Sequence, residues 1–143
     1  MHADLQQVLF PPQLQGHEGV ATADGALGML FNPALVGMRY PSELFLADTR
    51  DDLDEDRRWD VLAAWRGLGL RYTRVPDQAQ VVGATLAFGR PALRFGWTTL
   101  WTGADLESAD RSDHRIGVLS RTTPWLSLGA TVDHPFQPNG FKR

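Results

Sequence analysis

Hydrophobic and polar residues alternate along most of the chain between residues 59 and 132, which is the period of a strand with one apolar and one polar face. In residues 92–102, Leu93, Phe95, Trp97, Thr99 and Trp101 share one face, and Arg94, Gly96, Thr98 and Leu100 share the other. Residues 81–89 repeat the pattern, with Val82, Ala84, Leu86 and Phe88 against Val81, Gly83, Thr85, Ala87 and Gly89. Leu68, Leu70 and Tyr72 oppose Gly69, Arg71 and Thr73, and Leu126, Leu128, Ala130 and Val132 oppose Trp125, Ser127, Gly129 and Thr131. Large apolar side chains thus gather on one face and small or polar ones on the other. Each segment is close to the roughly 9 to 11 residues that a tilted strand needs to cross a bilayer. The pattern predicts seven strands, at 43–47, 59–65, 67–74, 81–89, 92–102, 115–120 and 125–132.

The connections alternate between short and long. Arg66-Gly67, Gly89-Arg90-Pro91 and Arg121-Thr122-Thr123-Pro124 read as hairpin turns, with Gly and Pro supplying the special backbone angles. Residues 48–58, 75–79 and 103–114 are longer and mostly acidic. Threaded as an up-and-down meander, every short turn falls at one rim and every longer loop at the other, an asymmetry of bacterial outer-membrane barrels. Trp59, Tyr72 and Trp101 then lie near the loop rim, and Trp65, Phe88 and Trp125 near the turn rim, as two aromatic girdles.

The expected fold is all-β, an antiparallel up-and-down meander forming part of a transmembrane β-barrel. In it Leu68, Leu70, Tyr72, Leu86, Phe88, Leu93, Phe95, Trp97 and Trp101 face lipid, while Arg71, Arg94 and Thr98 face the lumen. The two arginines orient the alternation, because a charge facing lipid at mid-depth costs about 2–4 kcal/mol. They either line a solute path or, the favoured reading, pair with Asp or Glu across the lumen. Seven strands do not close the even-numbered barrel of eight or more that bacteria build. The chain therefore reads as an amino-terminal fragment of a larger barrel, or a short gene product related to one. It divides into a tail (1–18), a plug-like luminal segment (19–41), the strands (42–133) and a truncated carboxyl-terminal stretch (134–143).

Composition narrows the picture. A chain of 143 residues suits one domain, and 14 Gly, 9 Pro and 5 Trp favour a turn-rich all-β fold. The longest apolar run, residues 61–65, is far too short for a membrane helix. A net charge of -3 gives no electrostatic case for nucleic acid. Residues 1–10 lack the basic, apolar and small-residue order of a secretory signal.

The segment ahead of the strands is rich in small residues from Gly19 to Ala26 and ends in Phe31-Asn32-Pro33-Ala34. It resembles the amino-terminal stretch of the long-chain fatty-acid transporter superfamily, in which such a run leads from a luminal segment into the barrel. The match departs after Ala34, where Leu35-Val36-Gly37 replaces the usual Gly-Leu. Residues 121–130 are similar to the turn-and-strand repeats of that superfamily and to barrel modules ahead of some signal peptide peptidase-like proteins. The resemblance implies an outer-membrane location and outer-membrane lipids as partners. It also implies either uptake of a hydrophobic or amphipathic small molecule or anchoring of a periplasmic protein. Leu27, Phe31, Asn32, Pro33 and Ala34 are the plug candidates.

Elementary chemistry adds to this without the family. Proline disfavours helix at the residue before it and Asn caps turns, so a short helix over 26–31 should stop at Asn32. The apolar Leu27, Met29, Leu30 and Phe31 call for cover, and the gap left by Gly69, Gly83 and Gly96 on the polar face provides it. An ordinary helix stop in a soluble α+β protein is the plainer reading of the same residues.

Candidate chemistry is sparse. Asp52, Asp54 and Asp56 have the opening spacing of a calcium loop, but Arg57 stands where Gly is needed and Ala63 where a bidentate Glu is needed. His2, His17, His114 and His134 have no second ligand at metal spacing. Gly67-x-Gly69 lacks the third glycine, which is Tyr72, and there is neither a Gly-x-Ser-x-Gly nor any Cys. No enzyme, metal or cofactor is expected. The competing class is a soluble all-β binding module, such as a sandwich, with the aromatic faces packed on each other and the acidic loops holding a partner.

Overall fold

The computed structural model describes residues 25–38, 40–50, 57–75, 79–104, 111–123 and 125–133. Seven strands form one sheet in sequence order, every neighbour antiparallel: β1 (Ser42–Arg50), β2 (Arg57–Trp65), β3 (Leu68–Val75), β4 (Ala79–Arg90), β5 (Leu93–Gly103), β6 (Arg111–Thr123) and β7 (Leu126–Asp133). The all-β meander is therefore the fold. Among the described residues, no strand pairs with the outer edge of β1 or β7.

The strands run longer than the apolar alternation alone indicates, because ladder hydrogen bonds join backbones whatever side chains they carry. The largest extension is β6, where Asp113 opposite Leu100 and Ser112 opposite Trp101 are paired strand rather than loop. Gly67 and Ala92, in contrast, belong to turns rather than strands. At the β2–β3 hairpin both central residues, Arg66 and Gly67, have positive φ (46° and 92°). That is the type I′ geometry, whose twist matches the flanking strands. A shift in register between Ser120 and Thr123 bends β6 just before its turn.

Two 3-10 turns precede the sheet, η1 (Ala26–Leu30) and η2 (Pro33–Leu35). Asn32 separates them in extended backbone, and its side chain accepts a hydrogen bond from the Ala34 N–H at 2.9 Å, capping η2. The proline at Pro33 stops the first turn and starts the second. Both turns lie on one face of the sheet, η1 against β1 and β2, η2 against β4, β5 and β6.

This arrangement requires a curled sheet. The Ala26 N–H bonds Glu43 on β1, while the Leu30 carbonyl accepts from Arg115 on β6. A turn of this length rises only about 8 Å, yet β1 and β6 would stand about 24 Å apart in a flat sheet. Side chains on a strand stand off the sheet rather than lie along it, so the difference is closed by strands that curl toward the segment. The covered side is called the inner face below.

Candidate functional site

The inner face is built from glycines, threonines and arginines. Gly96 and Gly117 lie directly beneath the segment: a Cβ on Gly96 would overlap the Pro33 carbonyl carbon and the Ala34 nitrogen, and one on Gly117 would overlap Asn32 Oδ1. Gly69 opens space for Met29 and Val36. Gly83 plays no such part, since Leu100 and Arg71 fill the space above it. Only residues without side chains let the segment's backbone settle onto the strands at these points.

Among the described residues, five hydrogen bonds to the sheet tie the segment down. The Asn32 amide donates to the Val118 carbonyl at 2.9 Å, and the Ala26 N–H donates to a Glu43 carboxylate oxygen at 2.8 Å. Arg94 donates from Nε to the Ala34 carbonyl at 3.1 Å and from Nη2 to the Val36 carbonyl at 2.9 Å. Arg115 donates to the Leu30 carbonyl at 2.6 Å while its other nitrogens bind the Asp133 carboxylate. The carbonyls left over at the ends of short helical turns need donors, and these cations supply them. Apolar packing completes the attachment. Leu35, Val36 and Ala34 are fully buried, Ala26, Met29, Leu30 and Val36 share a core with Leu62 and Ala87, and Phe31 packs between that core and Leu119.

Arg71 follows a different route. Its Nε donates to the Thr73 hydroxyl at 3.0 Å, which donates on to Asp60 at 2.6 Å, and Arg58 clasps the same carboxylate at 2.5 and 2.9 Å. Thr98 shares a 2.7 Å hydrogen bond with Thr85. Of the two arginines singled out from sequence, Arg71 thus reaches an acid through a hydroxyl, whereas Arg94 finds backbone carbonyls in place of an acid. Between segment and sheet a cavity of about 10 Å³ remains, lined by Met29, Leu30, Arg71, Thr85, Thr98, Leu100 and Arg115. That is room for about one water molecule.

Asp60 is almost completely buried and neutralises the Arg58 and Arg71 side of the face. Replacing it, Asp60→Ala, removes the carboxylate that Arg58 clasps and that Arg71 reaches through Thr73, and a loss of about 3–5 kcal/mol is expected, read as a lowered urea midpoint. Arg94→Met removes two charge-assisted bonds to the segment and should cost about 3 kcal/mol or more. The same urea titration measures it.

The opposite, outer face is apolar and exposed. Leu44, Leu46, Leu68, Leu70, Leu86, Phe88, Leu93, Phe95, Trp97, Trp101 and Leu128 all stand on it with large exposed surface, and Tyr72 is half-buried among them. Phe88 and Phe95 stack with centroids 5.9 Å apart. Arg57 lies over the Trp59 ring at one rim and Arg66 over Trp65 at the other. Trp125 sits at the β6–β7 turn, 81% exposed, rather than on the inner face. His114 is half-buried on the outer face, where Thr99 is 3.2 Å from its Nδ1 and Trp97 meets its ring edge-on. Asp52, Asp54 and Asp56 lie outside the described residues.

Several residues of the site escape a reading of the sequence alone. Glu43, Arg115 and Gly117 act through partners distant along the chain, and Asp60 joins Thr73 across the sheet as well as its neighbour Arg58. The alternation of Arg115, Gly117 and Leu119 with Ile116, Val118 and Ser120 carries the one local signal that would have placed two of them. No family model, curated protein or solved structure matches this chain.

Proposed function

We propose that this chain is a membrane-embedded β-barrel module of the bacterial outer membrane, its outer face against lipid and its inner face closed by the segment 25–38. The observation that carries this reading is a slant. Following the register from strand to strand, the centre of the apolar outer band drifts steadily toward the turn rim. It lies between Leu44 and Leu46 on β1, at Leu70 on β3, at Trp97 on β5 and between Leu128 and Ala130 on β7. The total drift is about six residues, or about 20 Å along the strands, against about 29 Å across six strand spacings. The slope is about 35°, which equals the tilt of strands in outer-membrane barrels, about 35–45°. A bilayer is flat, so an apolar band matched to it must cross tilted strands at that angle.

The height of the band agrees. On β5 it runs from Leu93 to Trp101, about 27 Å along the strand and about 20 Å along the normal after tilt, against the usual apolar band of about 25 Å. The charged outer side chains sit beyond it, Asp48, Arg57 and Arg74 toward the loop rim and Arg90 toward the turn rim. The resemblance of Phe31-Asn32-Pro33-Ala34 to the fatty-acid transporter superfamily points the same way. The chain then serves uptake of an apolar or amphipathic solute, or anchors a periplasmic partner.

The test is partitioning. The purified chain should require detergent to stay dispersed and should float with phospholipid vesicles in a density gradient. A chain that is monodisperse in plain buffer, and that stays behind when vesicles float, overturns the membrane reading in favour of a soluble binding module.

A further inference from the structure

The two edge strands run the same way. β1 climbs from the turn rim to the loop rim, and six antiparallel steps later β7 climbs likewise. In hydrocarbon an unpaired edge strands a row of N–H and C=O groups, so both edges need partners. If β7 meets β1 of the same sheet, the pair is parallel. If it meets β1 of a second copy standing in the same orientation, the pair is again parallel, however many copies join the ring. Bacterial single-chain outer-membrane barrels are antiparallel throughout. Only an odd number of added antiparallel strands makes every pair antiparallel.

The segment sets a lower bound. The interior of an eight-stranded barrel is just wide enough for side chains, whereas here an entire backbone segment with two turns occupies the inner face. Ten is the next even number, which leaves three strands to be supplied. The inner side at β7 agrees with continuation beyond it, because Gly129 there is exposed while Gly96 and Gly117 on the neighbouring strands are buried.

We propose that the β1 and β7 edges are completed by an odd number of amphipathic antiparallel strands beyond these seven, three or more, and not by a second copy of this sheet. The proposal rests on the membrane reading above. The experiment compares the chain itself with chains extended at the carboxyl end by repeats of its own strands, each beginning at the loop rim as the direction of β7 requires. Residues 51–90 add three strands and 51–123 add five, while 51–75 add two and 51–103 add four. All are reconstituted in phospholipid vesicles, and amide hydrogen exchange is read strand by strand, β3–β5 serving as the folded reference.

Either odd extension should slow exchange in β1 by about tenfold or more relative to the unextended chain, and neither even extension should. Equal protection of β1 by odd and even extensions overturns the proposal, as does protection of β1 and β7 in self-assembled unextended chains. So does fast β1 exchange in both odd extensions with β3–β5 protected. In each of these cases the chains still float with vesicles and the membrane reading stands. Failure of every chain to float removes that reading, and the proposal with it.

Discussion

Leu70→Arg is expected to abolish assembly in phospholipid vesicles while leaving the rim substitution Gln80→Arg nearly silent. Leu70 is 63% exposed at the centre of the apolar band on β3, with Ala63 and Ala84 as its cross-strand neighbours. For a side chain exposed to water, such a change stays within about 0.5 kcal/mol, because nothing is unpacked and nothing charged is buried. In hydrocarbon at mid-depth the same arginine costs about 2–4 kcal/mol, falling to about 0–1 kcal/mol near the interface. Gln80 pairs with Gly103 at the loop-rim end of β4 and samples that shallow position. The measurement is the fraction of each variant that becomes protease-resistant in vesicles and its urea midpoint there. If the two variants behave alike, the outer face does not lie in lipid.

The contrast matters because the two faces were legible in the sequence for one reason and the site was hidden for another. A period of two needs no partner to be recognised, so the outer set from Leu68 to Trp101 and the inner Arg71, Arg94 and Thr98 follow from alternation alone. Strand ends do not follow from it. Residues 111–114 carry no apolar alternation and read as loop, yet they pair with Thr99, Leu100, Trp101 and Thr102 through backbone groups. Partners of charged groups were equally opaque. An arginine in a sheet suggests an acid across the way, but Arg94 meets the carbonyls of Ala34 and Val36, which are free because short 3-10 turns leave their last acceptors unused. The segment itself was half visible. Asn32-Pro33 announces a break in the chain, whereas nothing local says that Gly96 and Gly117, rather than Gly83, are the glycines it rests on.

That distinction makes the glycines the sharpest probe of the segment. Gly96→Ala should release residues 25–38 from the inner face, and Gly83→Ala should leave them in place. At Gly96 the added methyl meets backbone, the Pro33 carbonyl carbon and the Ala34 nitrogen, which cannot yield without moving the whole segment. At Gly83 it meets the Leu100 Cδ2 at 2.7 Å and the Arg71 Cβ at 3.2 Å, the first of which is the end of a side chain able to rotate. Undocking exposes Leu35 and Val36, each worth about 1.5–3 kcal/mol of burial, and strands Asn32, Arg94 and Arg115 without their contacts to the segment or to strand β6. Several kcal/mol oppose the methyl, so the outcome turns on whether backbone overlap exceeds that sum. Unlike a flexible side chain, the Pro33–Ala34 peptide is held by the Asn32 cap and by Arg94, so relief in place is blocked and release is the expected result. The chain has no Cys, so Leu27→Cys provides a unique attachment for a spin label on the segment. In the Gly96→Ala background the label should become mobile and proteases should cut within 25–38 while the strands stay resistant. An immobile label and an uncut segment, matching the Gly83→Ala control, would show that the segment tolerates a methyl beneath it and is not seated on Gly96 as described.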